Sequence, residues 1–261
     1  MLGQGLGTIA PWSDNTSVAG GIPSGGGRNK YSRLTNITSD EDTEGSGHSH
    51  SSGQGSVGTL ANGDKINAWN GDASINFVQT TSADKPTYDG TAEDGPRFSG
   101  AQFMDTNSNI TIASDSDFAI VVRFKCTNLD ATRSIMGHDS NNVISLIDNK
   151  TIRAEIAGTA RQFAEASNTL ATDQFYTLII VRVSDTINAY VKGGAYTSEE
   201  QWGSAVASAS GALTISNLGA SSDDTANFIG FIQNVIIYNS SAVGLDSASN
   251  RAAMFYYTEN N

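Results

Sequence analysis

Cysteine is almost absent from this chain of 261 residues, because Cys126 is the only one. No disulfide can therefore form within one molecule, and the fold must be stable through its hydrophobic core or through neighbouring molecules. Cys126 ends the apolar stretch FAIVVRFKC at residues 118–126, which predicts a buried thiol.

Basic residues are also scarce, since 15 Lys and Arg stand against 27 Asp and Glu and the formal net charge is −12. This charge repels a phosphate backbone, so we expect no nucleic-acid partner. No apolar run approaches the roughly 18 residues that a membrane span needs, and we expect no membrane contact. The start MLGQGLGTIAPW lacks both the basic and the apolar region of a secretory signal, so we expect no export by the usual route.

Residues 1–60 are poor in aromatic residues and show no sustained alternation of apolar and polar positions. Such a segment cannot bury enough surface to fold alone, and we predict an extended Gly/Ser-rich arm before a domain at 61–261. Single apolar residues recur along the arm and predict contacts with a partner, because exposed apolar side chains favour aggregation. The alternative is a floppy tail with incidental apolar residues. The predicted assembly residues are Leu6, Ile9, Trp12, Val18, Ile22, Tyr31 and Leu34.

From about residue 66, short apolar runs separated by Gly, Asn and Asp predict a series of strands. The clearest are FAIVVRFKC (118–126) and FYTLIIVRV (175–183), and a tight turn joins the second to INAYVK (187–192) as a hairpin. No helical periods intervene, so the pattern favours an antiparallel two-sheet sandwich over a parallel α/β sheet.

The stretch NFIGFIQNVIIYN (227–239) is apolar on both faces and predicts a strand inside a sheet with both of its faces covered. Strict alternation assigns Phe228, Gly230, Ile232, Ile236 and Tyr238 to one face and Ile229, Phe231, Val235 and Ile237 to the other.

A short helix is predicted over residues 245–258, with Asp246 as its cap. Its predicted apolar stripe consists of Leu245, Ala248, Ala252, Phe255 and Tyr256.

Two stretches together resemble concanavalin A-like, laminin-G-like jelly-roll domains. AWNGDASINFVQTTSADKPTYDGTAEDGPRFSGAQFM (68–104) resembles their opening, and LGASSDDTANFIGFIQNVIIYNSSAVGLDSASNRAAMFYY (218–257) resembles their closing strand and short helix. The resemblance implies an all-β jelly-roll sandwich over about 66–257, and it leaves the function open, since such domains serve as lectins, adhesion modules, hydrolase accessories and virion proteins. The Gly-rich arm that begins MLGQGLGT looks like those of tailed-phage structural proteins.

Catalytic patterns are scarce. Retaining glycanases of this fold need two carboxylates about 5–5.5 Å apart, and no Glu-x-Asp-x-x-Glu pattern occurs here. Glu155 stands alone in its strand, and Asp115 and Asp117 are interpreted as turn residues. His48 and His50 lie in a Gly/Ser-rich stretch and His138 is interpreted as a turn residue, so no triad is expected. The sequence therefore predicts that the chain is not an enzyme.

No cofactor is expected, although calcium stays open because loop carboxylates and amides supply oxygen ligands. The two candidate groups are Asp223 with Asp224, and Asp139 with Asn141 and Asn142.

Sugar binding is the main alternative function. The stretch GAYTSEEQWGS (194–204) is interpreted as a loop that presents Tyr196 and Trp202 as candidate glycan-binding residues. The competing interpretation is that Trp202 only attaches this loop to the sandwich.

The preferred hypothesis is a virion structural protein of a phage, assembled in the host cytoplasm, that decorates a capsid or belongs to a neck or tail. Its expected partners are other virion proteins and further copies of itself. The alternative is a glycan-binding adhesin that recognises a host surface glycan. A glycan hydrolase is the third hypothesis, and it requires turnover that depends on Glu155 or a neighbouring acid.

Overall fold

The computed structural model describes residues 28–32, 37–39, 62–70, 75–89, 95–184, 186–208, 210–221, 226–238 and 244–260. In chain order these residues form the strands β1 (Arg28–Ser32), β2 (Ile37–Ser39), β3 (Ile66–Asn70), β4 (Asn76–Val78), β5 (Thr87–Tyr88), β6 (Pro96–Ser99), β7 (Met104–Ile112), β8 (Phe118–Cys126), β9 (Arg133–Asp139), β10 (Asn142–Leu146), β11 (Thr151–Ile156), β12 (Thr159–Ala164), β13 (Phe175–Val183), β14 (Thr186–Gly193), β15 (Tyr196–Gln201), β16 (Val206–Ala207), β17 (Leu213–Leu218) and β18 (Ile229–Tyr238), and then the helix α1 (Ala248–Asn260).

Two antiparallel sheets pack face to face, as the sequence predicts for a jelly-roll sandwich. In the described part of the chain each sheet has nine strands. Sheet A has the order β15-β14-β13-β8-β18-β6-β5, with β1 paired to β18 and β16 paired to β14. Sheet B has the order β12-β11-β10-β9-β17-β7-β4-β3-β2. Pairs such as β13-β8, β8-β18, β18-β6, β9-β17 and β17-β7 join strands that are distant in sequence, which is the connectivity of a sandwich rather than of a simple meander.

The core lies between the two sheets and is built by alternation along each strand. In β8, Phe118, Ile120, Val122, Phe124 and Cys126 all enter this core, as predicted. Each large apolar side chain that is removed from water in this way contributes about 1.5–3 kcal/mol. The sandwich is therefore stabilised by its interior without a disulfide, since Cys126 is buried with a free thiol.

The prediction of strict alternation along β18 is wrong, because a bulge lies between Ile232 and Asn234. The bulge places one extra residue, Gln233, in the strand and reverses the faces that follow. Val235 consequently points into the core. Ile236 and Tyr238 point to the opposite side, the outer face of sheet A.

The helix α1 covers part of the outer face of sheet A. A second apolar cluster lies there, formed by Ala119, Val121, Ile179, Val181, Tyr190, Ile236, Tyr238, Leu245, Met254 and Phe255. The predicted helix exists, but the predicted stripe is shifted, since Ala253, Met254 and Thr258 are buried whereas Tyr256 is 59% exposed. The amide of Asn250 donates to Ser247 Oγ, so Ser247 and not Asp246 caps the helix.

Two strands lie within the predicted arm. β1 pairs antiparallel with β18, and Tyr31 stands opposite Val235. β2 pairs antiparallel with β3. Residues 28–32 and 37–39 therefore add backbone hydrogen bonds to the sheets of their own chain, which the prediction of a separate arm over 1–60 did not include. Leu6, Ile9, Trp12, Val18, Ile22 and Leu34 lie outside the described residues, and their contacts stay predictions.

Candidate functional site

An open depression of about 790 Å³ lies on the outer face of sheet A, beside the part that α1 covers. This volume is within the range of small-molecule sites. The depression is lined by Arg123, Lys125, Asp173, Gln174, Phe175, Lys192, Gly193, Gly194, Tyr196, Thr197 and Glu259. The residues come from β8, the start of β13, the β14–β15 turn and the end of α1, so the fold assembles the site from distant segments.

The wall of the depression at the β14–β15 turn is made of glycine backbone. Gly193 and Gly194 have φ values of +117° and +55°, which favour glycine. A Cβ on Gly194 would stand 2.5 Å from the hydroxyl oxygen of Tyr176 and 2.6 Å from its ring. Because Tyr176 is buried in the core, the turn can approach it this closely only without a side chain.

Phe175 provides the aromatic surface of the depression. Its ring is half-buried, and the guanidinium carbon of Arg123 lies 5.1 Å from the ring centroid. The ammonium of Lys125 lies 4.8 Å from the same centroid. This is cation–π geometry, in which both charges lie over the ring. Phe175 was not identified from the sequence, because FYTLIIVRV is apolar on both faces and the pattern does not show which aromatic residue reaches an open surface.

Hydrogen bonds and an ion pair hold two of the cations that line the depression. Arg123 Nε donates to Gln233 Oε1 at 2.8 Å, and its Nη1 lies 3.4 Å from Thr177 Oγ1. Lys192 Nζ forms an ion pair of 2.7 Å with Glu259 at the end of α1. The depression therefore presents positioned cations, carboxylates and an aromatic ring together, the mixture that orients a polar ligand.

The two predicted glycan-binding residues have different positions. Trp202 is fully buried, and its indole N–H donates to the Lys150 carbonyl at 2.8 Å. It offers no ring face to a sugar, which corrects its inclusion in the candidate site. Tyr196 is half-buried and lines the depression, where its hydroxyl donates to the Thr169 carbonyl at 2.7 Å. The predicted loop that carries both residues is an edge strand, β15, over much of its length.

The outer face of sheet B carries two buried or half-buried carboxylates that belong to one row of paired residues. Asp105 pairs with Asn217, Asn217 with Gly137, Gly137 with Val143, and Val143 with Glu155. The two carboxylates are therefore four strand separations apart, a distance of about 19 Å. Acid/base pairs of glycosidases lie about 5–9.5 Å apart. Asp105 and Glu155 are too distant to act as such a pair with each other, and Glu155 forms an ion pair with Arg153.

His138 belongs to a chain of polar side chains on the same face. It lies in β9 rather than in the predicted turn, and its Nδ1 is 2.8 Å from Ser216 Oγ. Ser216 donates to Asn217 Oδ1 at 2.7 Å, and Asn217 donates to Asp105 Oδ1 at 2.5 Å. Burial raises the pKa of Asp105, and the nearby Asp84 acts in the same direction.

The loop residues considered for calcium make turn contacts where they are described. Asp139 Oδ1 accepts hydrogen bonds from the Asn141 amide at 3.0 Å and from Asn142 Nδ2 at 3.0 Å. Asp223 and Asp224 lie outside the described residues. Among the residues that the structure describes, no three His, Cys, Asp or Glu side chains are grouped to hold a metal ion.

No helix among the described residues is long and apolar enough to cross a membrane.

The two-sheet sandwich and its connectivity define a jelly-roll protein of the lectin and glucanase type. The chain belongs to the concanavalin A-like lectin/glucanases superfamily, because the laminin-G family model of that superfamily matches residues 98–243, more than half of the chain. The family resemblance drawn from the sequence is therefore confirmed. This fold is compatible with carbohydrate binding. No curated protein sequence matches the chain.

Several solved structures share the fold. An arabinofuranosidase in complex with arabinofuranosyl-xylobiose is 12% identical with a TM-score of 0.51, and a GH54 arabinofuranosidase is 10% identical with the same TM-score. Each match covers 76% of this chain and 51% of the other, so the chain spans about half the length of these enzymes. The enzymatically active domain of tailspike protein 2 of bacteriophage CBA120 is 13% identical, with coverages of 64% and 28% and a TM-score of 0.47. This last likeness is too distant to support a role in a phage particle.

These structures correct one prediction. The sequence predicts that the chain is not an enzyme, and this prediction is contradicted, because the two arabinofuranosidases with a TM-score of 0.51 share its fold. At such low identities the likeness shows an enzyme-like fold and transfers neither an activity nor a substrate to this chain.

Proposed function

We propose that the chain binds carbohydrate through the depression on the outer face of sheet A. The observation that carries this proposal is the half-buried ring of Phe175 in an open depression of about 790 Å³, with Arg123 and Lys125 over the ring. An aromatic ring stacks on the apolar face of a sugar, and the surrounding charged and amide groups bond its hydroxyls.

The polar groups needed to orient a sugar reach the depression from several elements. Asp173 and Gln174 are exposed on the loop before β13, and Thr197 is exposed on β15. Carboxylate and amide side chains supply acceptors and donors at fixed positions, so a sugar stacked on Phe175 can exchange its water contacts for protein contacts. Membership of the lectin and glucanase superfamily supports the proposal.

A glycan array with the purified chain tests the proposal, followed by titration calorimetry on each glycan bound. We expect Phe175→Ala to weaken binding about tenfold or more through the lost stacking surface. Tyr256→Ala is the matched control, because Tyr256 is 59% exposed on α1 and lies outside the depression. Thermal unfolding of both variants checks that the fold is retained. An array without any bound glycan, or equal affinities for Phe175→Ala and the control, would contradict the proposal.

The role in a phage particle stays a prediction from the sequence, with the arm as the part that contacts virion proteins. The structure sharpens its test, because β1 and β2 belong to the sheets and a deletion should spare them. Removal of residues 1–27 takes away Leu6, Ile9, Trp12, Val18 and Ile22 and leaves both strands. We expect the truncated chain to fold and to be missing from particles. If the truncated chain entered particles as efficiently as the full chain, the predicted role of residues 1–27 in assembly would be contradicted.

A further inference from the structure

The outer face of sheet A carries a row in which aromatic and cationic side chains alternate. Phe175 of β13 pairs with Lys125 of β8, Lys125 pairs with Phe231 of β18, and Phe231 pairs with Arg97 of β6. Paired residues in adjacent strands point to the same face. Three strand separations make the row about 14 Å long. The row begins in the depression, at Phe175 and Lys125, and continues from there across four strands in all.

Each cation of the row lies against a ring. The ammonium of Lys125 is 4.8 Å from the centroid of Phe175 and 4.5 Å from that of Phe231, so it lies between the two rings. The guanidinium carbon of Arg97 is 5.8 Å from the centroid of Phe231. Phe231 is only 5% exposed, and its part is to position the cations rather than to contact a ligand. Arg97 is the outermost group, with 56% of its side chain exposed.

The sign of this surface is opposite to that of the whole protein. The chain has a net charge of −12, yet Arg97, Arg123 and Lys125 are collected on one face with Lys192 next to them. Three carboxylates belong to the site or its margin: Asp173 lines the depression, Glu259 pairs with Lys192, and Asp89 lies 3.9 Å from Arg97. Complementary charge selects partners and excludes others, so a row of positioned cations favours an anionic ligand.

We infer that the ligand of this site is an acidic glycan, whose sugar faces stack at Phe175 and whose carboxylate or sulfate groups bind Arg123, Lys125 and Arg97. This inference rests on the proposed carbohydrate-binding function and specifies the substrate class. An extended chain of acidic sugars fits the row, because charges recur along such a chain and the cations recur along the row. A nucleic acid is anionic as well, so the test includes a single-stranded oligonucleotide as a polyanion without sugar carboxylates or sulfates.

The test compares chemically matched probes. Oligogalacturonate and its methyl ester share one backbone, with the carboxyl groups charged in one and esterified in the other, and a sulfated glycan with its desulfated form makes a second pair. Sialyllactose and lactose, which differ by one acidic sugar, are compared as well. A single-stranded oligo-dT of similar charge is the polyanion control. We expect an acidic member to bind at least about tenfold more tightly than its neutral partner, with an affinity that falls as salt rises.

Variants then assign the effect to the row. Lys125→Gln and Arg97→Gln should each weaken binding of the acidic probe about tenfold, and Lys125→Arg should restore most of it. Lys150→Gln is the matched control, since Lys150 is an exposed cation on the connection before β11. Thermal unfolding shows whether each variant is folded.

The possible results separate the two proposals. If the neutral and acidic probes of a pair bind equally well, or if Lys125→Gln keeps full affinity, the inference of an acidic glycan is wrong. The proposal of carbohydrate binding is not affected by either result. Equal binding of oligo-dT overturns the assignment to a glycan. Failure of every glycan to bind overturns both proposals.

Discussion

Tyr196 and Trp202 lie edge to face, with ring centroids 5.9 Å apart and an angle of 76° between the rings. They end a line of aromatic rings at spacings of 5.9–6.3 Å that runs through the core as Phe98, Phe228, Phe124, Tyr176, Tyr196 and Trp202. The line connects the margin of the depression with the interior. Tyr196 is therefore held in place by packing, and Trp202 acts in stability.

The first prediction follows from the burial of Trp202. Trp202→Ala removes a fully buried indole and its hydrogen bond to the Lys150 carbonyl, and we expect a loss of about 3–5 kcal/mol in the free energy of unfolding. Urea unfolding followed by circular dichroism measures it. Trp202→Phe should cost less and leave glycan affinity unchanged. A stable Trp202→Phe variant with lost glycan binding would show that the indole contacts the ligand after all.

The second prediction concerns the turn that walls the depression. Gly194→Ala brings a methyl group within 2.5 Å of the Tyr176 hydroxyl oxygen, and we expect it to destabilise the fold by about 1–3 kcal/mol beyond the backbone cost and to weaken binding. Gly63→Ala is the matched control, because Gly63 also has a positive φ, +96°, but its Cβ would meet nothing within 4 Å. Chemical unfolding of both variants gives the comparison. Equal losses in the two would mean that Tyr176 can move aside.

The third prediction concerns Arg182, which is fully buried. Its Nε donates to the Ser116 carbonyl at 2.8 Å, and its Nη2 and Nη1 donate to the carbonyls of Ala113 at 3.1 Å and Gly211 at 3.2 Å. Arg182→Met leaves these carbonyls without that donor, and we expect a loss of about 3 kcal/mol or more in unfolding free energy.

The mostly exposed Arg97 is the control for this substitution, and Arg97→Met should change stability little. Thermal and urea unfolding measure both variants. Similar stability of Arg182→Met and the native chain would show that water replaces the guanidinium.

The fourth prediction concerns the thiol of Cys126. Burial raises its pKa to about 11, while the hydrogen bond that it donates to the Asn128 carbonyl stabilises its position. At neutral pH the thiol is therefore protonated, and we expect a thiol reagent to label it slowly in the native chain and rapidly in urea. Equal labelling rates in the two conditions would contradict this burial.

The same pKa shift predicts a dependence of stability on pH. The folded pKa lies above the unfolded value of 9.0, so the unfolded chain releases its proton first as the pH rises. The contribution is complete below pH 9.0 and is lost progressively toward about pH 11. The difference in unfolding free energy between the unmutated protein and the Cys126→Ala variant should shrink across this window. The tyrosines titrate in both proteins, so their contribution cancels in this difference.

Predictability differed between elements for identifiable reasons. β8 and β13 have the bounds read from the sequence, because each is an apolar run set off by polar or turn-forming residues. β15 was interpreted as a loop, because its residues YTSEEQ are polar and its strand conformation comes from pairing with β14. The bulge at Gln233 also has no local signal, since a shift of register is decided by the partner strand β8.

The candidate site was predictable only in small part. Tyr196 was identified and lines the depression. Trp202 was identified with it and is buried, because an aromatic residue in a polar stretch does not reveal whether its ring turns inward. Phe175, Lys125, Phe231 and Arg97 belong to four separate stretches, and no spacing along the chain predicts that they share a row.

By itself, the sequence determined the architecture: period-two apolar runs, one cysteine and few charges specify an antiparallel sandwich stabilised by its interior, since each strand must bury its apolar face. Only the tertiary structure decided which residues form a surface that a ligand can reach. Strand pairing joins residues that are far apart in the chain. The bulge in β18 determines which side chains point outward, and α1 covers some of them, so that only the rest are exposed to solvent.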